Sequence, residues 1–398
     1  MRSWHPRTPG LAVALLAVMA NVHAQGALMP AEVLKRGQFA KAYAQAVDSA
    51  PSGQLQATWN SFFGREDLDL GLKGVPHAST ACRSTDARAS DAYAWLLRNS
   101  RDRRILMLND DHMHAAPRAF LLRLLPALRK LGFTHLGFEA LMPAVKPTDG
   151  NIAAAGFYTV EPLFAAVLRK GASLGFQVFG YEDLPAPALS ADAKFQAREQ
   201  GQARNIAQEM ARAAPSARFV IFAGFAHIRS TPLTGAGDTR RYMASYLKEY
   251  ARTDPLTIDL TSCAYAAAGP GKLRGKVFLG RTGGGPLTSG NYAGAVSGQI
   301  WLPVPDTGAA QPGFYRQLLG QEVRIPAAMR RGPGLVLVEG RSLDADEVAY
   351  DRVLLRPGEN LPLYLPAGRR YELVAYREDG TLIGCEPIRV QVLVPAGN

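Results

Sequence analysis

Between Ile105 and Leu260, short apolar runs alternate with amphipathic stretches of helix length, and no other feature of the 398-residue sequence restricts its fold so strongly. The runs Ile105–Leu108, His135–Phe138, Phe176–Tyr181, Phe219–Ala223 and Leu256–Leu260 are expected to be buried strands. Between them Arg118–Leu131, Glu161–Leu174, Asp192–Ala213 and Arg240–Tyr250 carry helical spacing. Strand followed by helix makes βαβ units, which close only as a parallel sheet with right-handed crossovers. The expected fold is therefore α/β, a mainly parallel sheet flanked by helices, over residues 101–263.

Outside that stretch the sequence changes character. Arg2 and Arg7 precede the apolar run Leu11–Ala20, and Val22-His23-Ala24 supplies small residues at a cleavage position. This is the pattern of a secretory signal peptide over residues 1–24. About ten apolar residues are too few to span a bilayer, which needs about 20, so no integral span is expected once the leader is removed. The protein is expected to be periplasmic or secreted. Residues 25–100 read as a helical N-terminal region, residues 264–325 as a Gly- and Pro-rich connection, and residues 326–398 as a small antiparallel β-sandwich. The last rests on short apolar runs parted by turn signals such as Pro357-Gly358 and Asp379-Gly380. The Gly-rich Thr282–Pro286 is not followed by Gly-Lys-Ser/Thr and reads as a loop rather than a phosphate cradle.

Charge and cysteine content exclude some functions. Lys and Arg outnumber Asp and Glu by 45 to 34, a formal net charge of +11, yet no run of five or six basic residues occurs and aromatics do not interleave with them. Nucleic acid is therefore not an expected partner. Three cysteines cannot build a disulfide scaffold. In an oxidising compartment Cys82 could pair with Cys263, leaving Cys385 over, or all three could remain thiols.

In an open parallel sheet, ligands bind beyond the carboxyl ends of the strands. The first expected strand runs into Asn109-Asp110-Asp111-His112-Met113-His114, and the second ends at Glu139. The third ends at Tyr181-Glu182-Asp183, and the fourth at Gly224-Phe225-Ala226-His227 followed by Arg229. Taken singly, each has an ordinary explanation: Asp110 and Asp111 as helix-starting acids, His112 or His114 as a structural histidine, Glu182 and Asp183 as a solvated pair. Glu139, directly after an apolar strand, needs a partner if buried, and a histidine or Arg198 could supply it. Four successive strands delivering histidine or carboxylate to one edge is the physical signal of a site.

The stretch from Ile105 to Leu141, with its strand, Asn109-Asp110-Asp111-His112 and strand-terminal Glu139, resembles the opening motif of the haem-binding-uptake/Tiki/erythromycin-esterase superfamily, which includes ChaN-like and TraB-like proteins. Gly224–His227 resembles its second Gly-x-x-His, and Ala197–Met210 the helix before it. The resemblance covers roughly Asp91 to Thr261. Asn109 stands where the family has glycine, a position where Asn tolerates a left-handed turn. Asp110 stands for glutamate and reaches one bond less far.

The resemblance implies a hydrolase acting on an ester or amide of a small molecule or peptide. His112 would be the general base or a metal ligand, Glu139 would orient it or share the metal, and His227 would be the second base or ligand. Asp110 would help activate water and Arg198 stabilise an oxyanion. His112, Glu139 and His227 would suit a divalent ion (zinc, manganese or cobalt), and the same groups could work without metal. The ChaN-like branch implies instead a haem carrier, with Tyr158, Tyr181, His112 and His114 as candidate axial ligands. An amidohydrolase, suggested by His112-Met113-His114, would need eight strands with further strand-end ligands.

Overall fold

The computed structural model describes residues 34, 38–40, 43, 53–69, 88–143, 147, 151–231, 240–262, 278–282, 285–286, 288, 292, 294–302, 314–343 and 348–391. The leader, Cys82 and Cys263 lie outside the described residues; Cys385 is an exposed free thiol. Among the described residues no helix is long and apolar enough to cross a membrane.

Five apolar runs form the expected strands: β2 (Ile105–Asp110), β3 (His135–Phe138), β4 (Gln177–Gly180), β5 (Phe219–Gly224) and β6 (Leu256–Asp259). They pair in parallel in the order β4-β3-β5-β2-β6. The helices between them are α3 (Ala116–Lys130), α4 (Pro162–Ser173), α5 (Ala191–Arg212) and α6 (Met243–Ala251). Side chains alternate across a strand, so each buried strand feeds two cores. Leu106, Leu108, Val220 and Phe222 pack with Phe120, Leu124 and Phe164 of α3 and α4. Ile105, Met107, Phe219 and Ile221 pack with Ile206, Met210 and Leu247 of α5 and α6. This is why the runs show no polar alternation: both faces are covered.

The helices begin where the sequence supplies acceptors for their unpaired N–H groups. Glu161 caps α4 by accepting from Leu163 N (2.9 Å) and Phe164 N (2.6 Å), with Pro162 at the first helical position. Ser190 caps α5 by accepting from Ala193 N. Such caps contribute about 1 kcal/mol each.

The sheet is wider than the five runs. β9 (Gly298–Trp301) pairs in parallel with β6, making six parallel strands. β7 (Phe278–Thr282) pairs antiparallel with β9, and β1 (Arg88–Asp91) antiparallel with β7. β8 (Gly285–Pro286) is a short hairpin arm on β7. Part of residues 264–325, expected only to connect, thus completes the sheet. Strand β1 and the helices α1 (Gln54–Phe62) and α2 (Ala92–Ser100) lie in the region expected to be helical.

The C-terminal region is antiparallel, as expected. β11 (Val336–Ser342), β12 (Asp351–Leu355), β14 (Arg370–Arg377) and β15 (Leu382–Arg389) form a four-stranded sheet ordered β12-β11-β14-β15. β10 (Gln321–Val323) and β13 (Leu363–Leu365) form a second, two-stranded sheet. Val336, Val338, Val353 and Leu355 pack with Leu363 and Leu365 of that second sheet. Leu337 and Leu354, one residue out of step, join the core of the α/β body. The module is therefore fused to the body through one face.

Candidate active site

The carboxyl end of β2 places Asn109 and Asp110 in extended backbone, so Asn109 serves here by hydrogen bonding and not by a left-handed turn. Its amide donates to Phe225 O (3.0 Å) and Asp259 Oδ1 (2.9 Å), and its Oδ1 accepts from Leu260 N (2.6 Å). It ties the ends of β2, β5 and β6 together. The left-handed residue is instead Phe225, at φ 34°, where β5 turns into a 3-10 turn over Phe225–Ile228. A bulky side chain there costs on the order of 1–3 kcal/mol, held by the surrounding packing.

Asp110 is clamped by the fully buried Arg118 of α3, whose Nε and Nη2 donate to the carboxylate at 3.2 Å and whose Nη1 reaches Glu161 at 3.2 Å. The same carboxylate lies 3.2 Å from His112 Nδ1. Asp110 thereby orients the imidazole and turns Nε2 toward the end of β5. The ring is held on two sides, stacked on Tyr158 (centroids 4.3 Å, 11°) and edge-on to Phe225 (5.4 Å, 86°). Nε2 approaches the backbone of Gly224 so closely that a Cβ there would lie 2.5 Å from it and 3.0 Å from Glu139 Oε2. Glycine at the end of β5 is what leaves room for both side chains.

Glu139 follows β3 and is buried. Its Oε2 accepts from Gly224 N, and its Oε1 accepts from Arg198 Nη2 (2.5 Å) and lies 3.2 Å from His227 Nε2. Burial works against the charge, but His227 and Arg198 outweigh it and hold the carboxyl well below its ordinary range. Arg198, on α5, also donates to Glu182 at the end of β4 through Nε (2.9 Å) and Nη2 (2.6 Å). Gln202, one turn along the same helix face, donates to Glu182 Oε1 (2.8 Å). His227 is flanked on its other side by Glu199, with Nδ1 2.7 Å from Oε1. Burial disfavours its charge, yet Glu139 and Glu199 together push the imidazole up to about 10. Arg198 Nη1 lies 3.2 Å from the same Nε2, so the ring stands between two carboxylates and beside a guanidinium.

Asp110, His112, Glu139, Arg198 and His227 are thus brought to one place by β2, β3, β5 and α5. His114 is not among them: its Nδ1 is 2.7 Å from Asp111 and its Nε2 3.8 Å from Asp69, and Asp111, Glu66 and Asp69 raise it to about 9 against the cost of burial. Tyr181 is also turned away, fully buried with its hydroxyl donating to Phe222 O (2.8 Å). Tyr158 lies against His112, but burial and Glu139 push its phenol above the usual tyrosine range, so it stays neutral. Of the three, Tyr158 alone lies in the cluster, stacked on His112.

The expected metal set is not assembled either. Among the described residues no group of three or more His, Cys, Asp or Glu side chains is arranged to hold an ion. The Arg198 guanidinium already occupies the cation position between Glu139 and Glu182. The site therefore does not fit a divalent metal.

Sequence reasoning placed Glu182 at the right edge of the sheet without giving it a role, and gave none to Glu199 or Gln202. Glu182 was visible at a strand end, and Glu199 and Gln202 share a helix with Arg198, but nothing in the sequence distinguishes them from solvated residues. The most open side chains of the group are Arg198, 13% exposed, and His227, 10% exposed, so approach to the site is from their side.

No protein-family model matches the sequence, and no curated protein does. Solved structures similar to this chain include three from bacterial virulence proteins. The type III effector HopBA1 is 14% identical, with 56% of this chain and 98% of that chain covered at a TM-score of 0.36. RRSP, a MARTX toxin effector domain from Vibrio vulnificus, is 14% identical over 68% of this chain and 49% of that one (TM-score 0.34). The C-terminal region of Pasteurella multocida toxin, described as carrying a thiol-protease-like catalytic triad, is 12% identical over 72% of this chain and 46% of that one (TM-score 0.32). The chain thus spans about half the length of the last two.

Proposed function

We propose that this chain is an exported hydrolase that cleaves an ester or amide by metal-independent acid–base chemistry. The observation that carries the reading is the gathering of two carboxylate-paired imidazoles, Asp110–His112 and Glu199–His227, with Glu139 around Gly224 and Arg198. Export rests on the leader-like residues 1–24, and the order of the motifs resembles the Tiki/erythromycin-esterase superfamily.

His112 Nε2 takes a proton from water as the hydroxide oxygen attacks the carbonyl carbon. The charge that develops on the carbonyl oxygen is met by Arg198 and the His227 imidazolium, both preorganised by buried carboxylates. The tetrahedral intermediate then collapses, the bond to the leaving oxygen or nitrogen breaks, and the His112 imidazolium returns its proton to that atom. A carboxylic acid and an alcohol or amine leave. Glu139 is a positioning residue, since one of its oxygens is taken by Gly224 N and the other by the two cations.

The test is a panel of p-nitrophenyl esters and acyl p-nitroanilides of graded size, run on residues 25–398. Hydrolysis by the wild type is expected, to fall about a hundred- to ten-thousand-fold in His112→Ala with the melting temperature little changed. Dialysis against EDTA is expected to leave the rate as it was. Full activity in His112→Ala, or loss of activity to EDTA, overturns the reading.

A further inference from the structure

The hydrogen-bond donors around the candidate site are nearly all committed. Gly224 N is taken by Glu139, Arg198 by Glu139, Glu182 and His227, Gln202 by Glu182, and the Tyr181 hydroxyl by Phe222 O. Tyr158 is the exception. Its ring lies on His112 and the residue is only 4% exposed. Yet its hydroxyl makes no hydrogen bond with a described residue, and its oxygen is not sealed from solvent. Interior polar groups ordinarily have partners, and a donor left over beside a general base is a mark of a group that serves substrate.

The local fold fixes this phenol in place. Tyr158 opens the 3-10 turn Tyr158–Val160. Gly156, two residues earlier, passes so close to the chain after Glu139 that a Cβ there would lie 1.8 Å from Ala140 O. Ala155 O accepts from Met142 N (3.3 Å). The turn is thereby pinned to the end of β3, the strand that delivers Glu139. Phe62 and Phe157 stand edge-on to the ring, 6.3 and 5.0 Å away between centroids. Burial, and after it the charge of Glu139, keeps the hydroxyl protonated. It can therefore donate a hydrogen bond without giving up its proton.

We propose that Tyr158 is a catalytic residue, its hydroxyl donating a hydrogen bond to the oxygen that becomes negative when water adds to the scissile carbonyl. The inference rests on the hydrolytic reading of the site. No proton passes through Tyr158: its O–H stays intact while the water oxygen bonds to carbon, the carbonyl π pair moves to oxygen and His112 takes the proton of the water. Arg198 and His227 bring charge to that oxygen, but each is also bonded to buried carboxylates. The phenol adds a neutral donor whose hydrogen bond strengthens as the oxygen gains charge.

The test is Tyr158→Phe, which keeps the stacked ring and removes one oxygen, assayed on residues 25–398 beside His112→Ala. With p-nitrophenyl ester and acyl p-nitroanilide alike, kcat per folded molecule is expected to fall about a hundredfold. KM and the melting temperature are expected to stay close to wild type. A kcat within about twofold of wild type, while His112→Ala is inactive, overturns the role of Tyr158 and leaves the hydrolytic reading standing. A rise in KM at unchanged kcat, or a loss confined to the anilide, also overturns it, the latter because the oxyanion is common to both substrates. Full activity in His112→Ala, or no hydrolysis by the wild type, overturns the hydrolytic reading and this inference with it.

Discussion

Two buried networks of arginine and carboxylate can be compared within this chain. At the junction with the C-terminal module, Glu339 of β11 sits between Arg352, its cross-strand partner on β12, and Arg341. Arg352 also donates to the carbonyls of Phe62 and Val160, and Arg316 holds Asp351 at 2.8 and 2.5 Å. At the sheet edge, Arg198 binds Glu139 and Glu182 in a similar way, but there Glu139 is shared with a histidine. Burying ions costs several kcal/mol apiece in both places. Only the second network contains an imidazole. The first fastens two parts of the protein together; the second holds imidazoles in a chosen charge state.

The largest expected effect separates the two networks. Arg352→Met leaves Glu339 buried with one cation instead of two and cuts the ties to Phe62 and Val160. It is expected to cost about 3–5 kcal/mol in chemical denaturation while leaving turnover per folded molecule unchanged. A loss below about 1 kcal/mol would mean that the apolar contacts of Leu337 and Leu354 alone make the junction. Next comes Glu199→Gln, which keeps the shape beside His227 and removes the charge. The alkaline limb of the pH–rate profile is expected to move down by about one unit or more, since His227 then loses its proton more easily. An unmoved limb would deny His227 its proposed role.

Sequence and structure agree most closely where both faces of a strand are buried. The runs that became β2 to β6 are continuous and their helices amphipathic, so they declare themselves. β1, β7 and β9 do not, because segments such as Phe278–Thr282 and Gly298–Trp301 are short and contain glycine, and their strand character comes from pairing with neighbours. At the site, His112, Glu139 and His227 were legible because they follow strands. Glu182 was visible at a strand end but its role was not, and Glu199 carried no role at all, because a buried carboxylate and a solvated one look alike until Arg198 and His227 are placed beside them. Tyr181, also at a strand end, turns its hydroxyl to the carbonyl of a neighbouring strand, which its position in the sequence does not show.

A smaller effect follows from pH. His227, raised to about 10, and His114, raised to about 9, both bind protons more tightly when folded than the ordinary 6.5. Their contribution to stability is therefore complete below about pH 6.5 and is lost as pH rises through 9–10. Asp69, pushed up to about 8 by burial, acts with the same sign over the range above its ordinary 3.8. Glu139 and Asp111, both lowered, contribute above the carboxylate range and lose that contribution as pH falls. The melting temperature is expected to fall between pH 6.5 and 10, and less steeply in His227→Gln. An identical slope in the variant would place the titration elsewhere. The smallest effect is set by contrast with the exposed pair Arg241–Glu249, 42% and 62% exposed. Arg241→Gln is expected to change stability by no more than about 0.5 kcal/mol, by the same denaturation measurement.

The most direct measurement is the ¹⁵N chemical shift of the His227 imidazole, followed from pH 6 to 10.5 in protein labelled at its histidines and assigned by the signal lost in His227→Gln. Held between Glu139 and Glu199, the ring is expected to remain doubly protonated past pH 8 and to titrate near 10. A ring that is neutral at pH 7.5 would contradict the charge arrangement on which the proposed chemistry rests.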